Sequence, residues 1–301
     1  MRHQGSEEGT RKLPKISIVT PCMNQVAYVE KTLLSIHEQG YPELEHIVMD
    51  GGSSDGSLGV IRRYSDRIRW VSEPDSGQYH AIAKGFSMTT GEIMAWLNSD
   101  DIYLPGALRV VGEVFRDFPE VEWLTTRFPM GIDGNGALIK MGCFSGFSRE
   151  HFLRGDNLPA CGWDATGFIQ QESTFWRRSI WERAGGGFKR DLHFAGDFAL
   201  WSSFFEQGIL FGIDVPLACF RRHETQKTSV ALHKYLEEAK QVFFAAGGNV
   251  LPHKVQKLRV RFLEACAGSV ALRRRARRLG FLSGIHNITY DWARSCWVKE
   301  Q

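Results

Sequence analysis

The chain predicts an α/β fold: a Rossmann-like, mostly parallel sheet with helices on both faces, followed by a C-terminal helical extension. Three observations predict it. Between Lys15 and Leu97, short apolar runs alternate with segments whose apolar residues recur at helical spacing, the pattern of βαβ units. The first four apolar runs each end at polar residues, as strands do whose carboxyl ends border a ligand crevice. Beyond Gln226 the pattern turns helical and strongly basic.

Residues 1–14 have little apolar content and predict a disordered leader. Lys15 to Thr20 reads as a buried strand, and Val29, Leu33 and Ile36 as a helix that stops before Gly40 and Pro42. Leu44 to Asp50 is a second strand, followed by a Gly/Ser/Asp loop over 51–56 and a helix near Leu58 to Tyr64. Ile68 to Ser72 is a third strand, Tyr79 to Met88 a helix, and Glu92 to Leu97 a fourth strand. Leu104-Pro105-Gly106 signals another helix start, and Val121 to Thr126 another strand. Asn135-Gly136 is a hairpin signal. Gln170 to Trp176 reads as a strand, Ser179 to Ala184 as a short helix and Asp197 to Gln207 as a longer one.

Hydrophobic residues make up 43% of the chain, enough for a substantial core. The six cysteines (22, 143, 161, 219, 266 and 296) form no CxxC pair and no metal-ligand spacing, which predicts reduced thiols and a cytoplasmic location. No run approaches the roughly 18 apolar residues of a membrane span, and the polar start of the chain lacks a secretory signal. The net charge of +3 hides an asymmetry. From Gln226 onward there are 14 Lys and Arg against 5 Asp and Glu, whereas the preceding residues carry 23 against 29. An acidic body suits metal ions and small ligands, and a basic tail suits phosphates on a surface.

The most informative residues are Asn98-Ser99-Asp100-Asp101, adjacent carboxylates at the end of a buried run. Oxygen ligands that leave coordination positions open suit Mg²⁺ or Mn²⁺ bridging to substrate phosphates. The competing reading is that one Asp caps the next helix. The turn after the first strand, residues 20–25, contains no glycine, so the dinucleotide fingerprint is absent, and no GxxxxGK[ST] phosphate loop occurs. What remains is a series of strand-end residues: Thr20 and Asn24, Asp50, Glu73 and Asp75, then Asp100 and Asp101. Each alone reads more readily as a turn or cap residue. Four strand ends in succession favour one shared crevice.

The segments Ile16-Ser-Ile-Val-Thr-Pro-Cys-Met-Asn24, Glu45-His-Ile-Val-Met-Asp-Gly-Gly-Ser-Ser-Asp-Gly56, Ser72-Glu-Pro-Asp-Ser-Gly77 and Trp96-Leu-Asn-Ser-Asp-Asp101 resemble glycosyltransferase family 2. So do the later segments Gln170 to Arg178, Ala195 to Trp201 and Arg221 to Gln226. The resemblance is to the inverting, GT-A-fold enzymes of bacterial surface-polysaccharide assembly and spans roughly residues 15–230. It implies a catalytic domain over 15–225, with a nucleotide-sugar-binding half (15–126) and an acceptor half (127–225), and a basic helical extension over 226–301.

The resemblance also implies roles. Thr20 and Pro21 flank the nucleoside, Asp50 accepts a hydrogen bond from the base, and Asn24 and Asp75 belong to the same donor site. Asp100 holds the divalent ion, Mg²⁺ or Mn²⁺, with Asn98 near the ribose and Asp101 either a second ligand or an orienting neighbour. Asp197 matches the general base, and Arg222 and His223 face the leaving diphosphate. Glu172 and Trp176 are assigned to the acceptor, although Glu172 could instead satisfy a buried neighbour, Trp163, Trp176 and Trp201 could be core, and Asp197 could simply cap its helix. His80, Ala83 and Asn98 depart from the family's usual residues and put the identity of the donor in doubt.

The resemblance implies a UDP-, dTDP- or GDP-sugar as donor and a glycan or lipid-linked acceptor. A catalytically degenerate sugar-nucleotide sensor or scaffold is an alternative, as is a sugar-nucleotide pyrophosphorylase, which would need a Gly-rich, Arg-containing first loop that is missing here. Residues 259–278 place arginines among apolar residues. Such a helix can lie on an anionic membrane, each basic residue contributing about 1 kcal/mol, which predicts peripheral attachment at the inner face of the plasma membrane. No aromatic platform or nucleic-acid module accompanies the arginines, so no nucleic-acid partner is expected.

Overall fold

The computed structural model describes residues 12–158, 168–189, 191–224, 226–250 and 252–300. The predicted leader lies outside the described residues up to residue 11, as do Cys161 and Trp163. The chain begins β1 (Ile16–Cys22), α1 (Val29–His37), β2 (Leu44–Asp50), α2 (Ser57–Arg62), β3 (Arg69–Ser72), α3 (Gln78–Ser87) and β4 (Ile93–Trp96). It continues through β5 (Ile102–Tyr103), α4 (Ala107–Asp117), β6 (Trp123–Thr126), β7 (Met130–Ile132), β8 (Leu138–Met141) and α5 (Arg149–Leu153). A 3-10 turn (Gln171–Ser173) precedes β9 (Phe175–Arg177), α6 (Arg178–Arg183), α7 (Gly196–Gln207), β10 (Leu210–Ile213) and β11 (Ala218–Arg221). The remainder is α8 (Lys227–Ala245), α9 (His253–Gly268), α10 (Val270–Arg278), β12 (His286–Asp291) and β13 (Cys296–Lys299).

Among the described residues, nine strands form the main sheet in the order β13-β12-β10-β6-β9-β4-β1-β2-β3. β9 runs antiparallel to both neighbours and β13 antiparallel to β12, and the other pairs are parallel. A second sheet, β5-β11-β7-β8, stands at the carboxyl end of β4. Side-chain alternation divides the core. Val19, Met94, Trp96, Trp123 and Trp176 face α3, α6, α7 and α8, whereas Ile18, Ala95, Leu97, Leu124 and Phe175 face α4. β1 is buried along its whole length because helices cover both faces of the sheet there, and for that reason it reads as a continuous apolar run.

Two segments differ from the sequence expectation. Gln170 to Trp176 is a turn followed by a short strand. The Gln170 side chain accepts from Ser173 Oγ at 2.9 Å and its carbonyl from Thr174 Oγ1 at 2.7 Å, local bonds that compete with strand pairing. The stretch beyond Gln226 is helical as far as Arg278 and then adds the hairpin β12-β13 to the main sheet, where Ile288, Tyr290, Trp297 and Val298 supply the β-branched and aromatic residues a strand prefers.

The tail is docked by charge. Arg259 Nε donates to Asp156 at 2.9 Å, and Glu300 accepts from Arg273 at 2.6 Å, Arg277 at 3.0 Å and Asn287 at 2.8 Å. Three of the basic residues expected on a membrane therefore face the protein.

Gly85 of α3 lies against β1 so closely that a Cβ there would meet Val19 Cγ1 at 2.6 Å and Met49 Cγ at 3.1 Å. Gly85→Ala is expected to lower stability by about 1–3 kcal/mol, read as a lower urea midpoint with unchanged slope. An unmoved midpoint would mean that α3 does not sit this close to the sheet.

Candidate active site

β4 delivers its carboxyl end into a turn that is bonded on every side. Asn98 Oδ1 accepts from Gln78 Nε2 at 2.6 Å, and its Nδ2 faces Asp101 Oδ2 at 3.2 Å and Gln171 Oε1 at 3.3 Å. An amide supplies both an acceptor and a donor, so one asparagine side chain bridges α3, the acid turn and the 3-10 turn. Asp101 is 0% exposed, and its second oxygen accepts the Arg221 N–H at 2.8 Å. Both of its oxygens thus have protein partners, the surroundings of an orienting neighbour rather than of an open ligand. Burial, with the charges of Asp100 and Glu172 adding, holds the Asp101 carboxyl well above the usual carboxylate range.

Asp100 Oδ2 lies 3.0 Å from His223 Nε2, and its backbone carbonyl accepts from Arg221 Nε at 2.6 Å. The Arg221 guanidinium also donates to the carbonyls of Asp133 (3.3 Å) and Gly134 (3.2 Å) and lies 5.2 Å from the centre of the Tyr28 ring, which stacks on His223 at 4.6 Å. The sequence singles out Arg222 and His223 but not Arg221. Only the register of β11 tells the buried arginine from its neighbour, whose backbone N–H donates to Ile132 O at 2.8 Å.

The expected donor residues gather at the carboxyl ends of β1, β2 and β3. Asp50 accepts from the N–H groups of Gly52 (3.3 Å) and Ser53 (3.2 Å) and from Ser72 Oγ at 2.6 Å. The Asp75 carboxylate accepts from Gly77 N–H at 2.7 Å and covers Gly51, where a Cβ would lie 2.8 Å from Asp75 Oδ2. Asn24, at φ 54, fastens this loop to the first turn: its N–H donates to Ser53 Oγ at 2.8 Å and its Oδ1 accepts from Ser54 N–H at 2.9 Å. Burial pushes the Cys22 thiol up to about 11, with Ser99 opposing and the charge of Asp50 adding, so the end of β1, with Pro21 buried, lies between the loop and the acid turn. Thr20 turns inward. Its hydroxyl meets His46 Nε2 at 2.9 Å, and His46 Nδ1 meets His37 at 3.0 Å. Burial, aided by the neighbouring His37, lowers His46 to about 3, so this pair is neutral.

On the other side of the turn, Asp197 sits in the first turn of α7 and accepts from Tyr235 O–H at 3.3 Å. Glu172, 2% exposed, occupies the 3-10 turn, and its Oε1 has no hydrogen-bond partner among the described residues. Burial, with the charges of Asp197 and Asp100, raises it to about 8. Trp176, expected at the acceptor, is 0% exposed and packs edge-on against Trp96, Trp201 and Phe86, so it forms the core beneath the site and cannot touch an acceptor. Trp201 is likewise core. The arrangement brings Asn98, Asp100, Asp101, Glu172, Asp197 and His223 into one acidic, poorly hydrated region beside the loop that holds Asp50 and Asp75. Among the described residues, no three His, Cys, Asp or Glu side chains converge to hold an ion unaided. The described cysteines are free.

Residues 17–183 match the model of glycosyl transferase family 2. An uncharacterized glycosyltransferase of Mycobacterium tuberculosis is 33% identical over 186 residues, covering 61% of this chain and 66% of the relative. A Campylobacter jejuni GalNAc(5)-diNAcBac-PP-undecaprenol beta-1,3-glucosyltransferase is 33% identical over 101 residues, 32% of this chain and 33% of the relative. The chain thus spans between a third and two thirds of the length of these relatives. Among solved structures, S. aureus TarS 1–349 in complex with UDP-GlcNAc superposes with a TM-score of 0.61 at 16% identity, over 82% of this chain and 70% of that one. The mannosyltransferase PcManGT of Pyrobaculum calidifontis in complex with GDP-Man and Mn²⁺ gives 0.51 at 18% identity, over 91% and 86%. These likenesses identify the architecture as the GT-A fold.

Between its ordinary value of 4.5 and about 8, folded Glu172 keeps a proton that the unfolded chain has released. Its contribution to stability therefore falls as pH rises through that window and levels off above it. In Glu172→Gln the fall is removed, so the melting temperature relative to wild type is expected to rise from about pH 5 to about pH 9. A difference constant across that range would show that Glu172 titrates as an exposed carboxylate does.

Proposed function

Because the chain belongs to glycosyl transferase family 2, we propose that it transfers a sugar, with inversion, from a UDP-, dTDP- or GDP-sugar to a hydroxyl of a glycan or lipid-linked acceptor in surface-polysaccharide assembly. The observation that carries this reading is the acid turn itself: Asp100 with His223 at 3.0 Å, next to the loop of Asp50 and Asp75 and across from Asp197. The family match ends at residue 183, so the roles of Asp197, Arg222 and His223 rest on the resemblance of the segments Ala195 to Trp201 and Arg221 to Gln226.

The donor set fits a divalent ion. A carboxylate oxygen and an imidazole nitrogen face each other at 3.0 Å and their residues retain some exposure, so both could turn to a divalent ion. Asp100 and His223 would hold Mg²⁺ or Mn²⁺, which when bound supplies positive charge to the donor diphosphate. PcManGT, with Mn²⁺ and GDP-Man, supports the metal, and TarS, with UDP-GlcNAc, supports the donor class. The undecaprenol-linked substrate in the name of the Campylobacter relative supports the acceptor class.

Asp50 and Asp75 take the nucleoside end, Arg222 faces the leaving diphosphate, and Asn98 and Asp101 orient Asp100. Asp197 accepts the proton of the acceptor hydroxyl as that oxygen attacks the anomeric carbon from the side opposite the diphosphate. Glu172, raised to about 8, has a buried Oε1 with no hydrogen-bond partner among the described residues, and in this reading that oxygen takes a sugar hydroxyl.

The same reading includes peripheral attachment to an anionic membrane. Among the described residues no helix is long and apolar enough to cross one. Arg259, Arg273 and Arg277 are held in ion pairs, so the surface narrows to the exposed Arg261, Arg274, Arg275 and Arg278 with Leu258, Val270 and Leu279.

Purified protein incubated with UDP-, dTDP- and GDP-sugars and Mn²⁺ is expected to hydrolyse or transfer at least one, and chelator to stop it. Asp197→Asn is expected to lower turnover by about 10²–10⁴-fold with donor binding kept, and Asp100→Asn to lose Mn²⁺ binding read by electron paramagnetic resonance. Donor binding without turnover, indifferent to Asp197→Asn, would favour the degenerate sensor, and no binding across the panel would remove the reading. For the membrane, wild type is expected to sediment with phosphatidylglycerol vesicles and the Arg274→Gln/Arg275→Gln/Arg278→Gln variant to stay in solution. Equal behaviour of the two would remove that part.

A further inference from the structure

We propose that α8 belongs to the catalytic centre, with Tyr235 the positioning residue that fixes the Asp197 carboxylate through its hydroxyl. The inference rests on the reading of Asp197 as the base and extends it to a helix lying beyond the family match.

Tyr235 is 5% exposed and its O–H reaches Asp197 Oδ2 at 3.3 Å. One helical turn further on, Glu238 accepts the backbone N–H groups of His193 (3.1 Å), Phe194 (2.8 Å) and Ala195 (2.8 Å). α7 has no side-chain N-cap of its own, and the Glu238 carboxylate ties down the three residues that lead into it. From the opposite side, Tyr79 of α3 donates to Phe194 O at 2.7 Å, and its ring lies where a Cβ on Gly196 would meet it at 2.7 Å. The backbone under Asp197 is thus gripped between α3 and α8, and the side chain itself is held from α8. Fixing one carboxylate oxygen fixes the rotation of the carboxylate plane, and with it the direction in which the group can take a proton.

Among the described residues, Tyr79 of α3, Glu172 of the 3-10 turn and Tyr235 of α8 feel the charge of Asp197, and Glu238 of α8 acts on the two tyrosines. Burial keeps the Tyr235 hydroxyl well above its ordinary value, so it remains a donor throughout the working range of pH. A donor to the ionised carboxylate favours that form, and its loss must raise the carboxyl's titration point.

Tyr235→Phe tests this, since the ring stays in the core cluster with Ala239, Val242 and Phe243 and only one oxygen is lost. The Asp197 carboxyl, followed by carbon-13 NMR and assigned with Asp197→Asn, is expected to titrate at higher pH in the variant. With the sugar nucleotide hydrolysed best in the panel of UDP-, dTDP- and GDP-sugars, kcat is expected to fall about three- to tenfold, its acid limb to move up in pH, and the donor KM to stay unchanged. An unmoved Asp197 titration, or a variant altered only in melting temperature, would overturn the proposal while leaving Asp197 as the base. Turnover that survives Asp197→Asn would instead overturn the parent reading.

Discussion

Arg221 brings a guanidinium to a place where the residue is 1% exposed, and the carbonyls of Asp100, Asp133 and Gly134 and the face of Tyr28 meet it there. Its own backbone N–H is bonded to Asp101. One residue therefore joins the end of β4, the strand β11 and the β7-β8 turn, which belong to two different sheets. The direction of Asp100 follows from this clamp, because its main chain is held from behind while His223, two residues beyond Arg221, meets its side chain. A buried guanidinium left without these acceptors is costly, so the three segments are held in one arrangement.

Around the clamp, acids are concentrated where water is scarce. Asp101 and Glu172 are driven toward their protonated forms by burial, with the charges of Asp100 and Glu172 adding at Asp101 and those of Asp197 and Asp100 adding at Glu172. The neutral His37-His46 pair behind Thr20 adds no positive charge on the far side of β1.

The first four strand ends were largely legible because their signals are local: the apolar runs stop at Asp50 and at Asn98 to Asp101. The stretch beyond β6 was less so. Trp176 carries the same letter whether it stacks on a sugar or lies under the sheet, and only pairing across β4, β6 and β9 decides for the core. Arg221 and Arg222 are adjacent identical residues whose fates differ by strand register. Tyr235 and Glu238 were invisible for another reason: each reads as an ordinary helix residue, and their relevance comes from a contact made about forty residues earlier in the chain. The hairpin β12-β13 was missed because the arginine-rich helix before it dominates the composition of that stretch.

The place of that hairpin in the sheet has a consequence for biosynthesis. β10 pairs with β12 in parallel, so one edge of β10 stays open on the ribosome until a segment some seventy residues downstream has emerged. During that interval a nascent chain presents unpaired backbone groups beside Phe211 and Ile213, the kind of surface that recruits chaperones or sticks to other chains. Glu300, clasped by Arg273, Arg277 and Asn287, then acts as the latch that closes the sheet after translation has passed it.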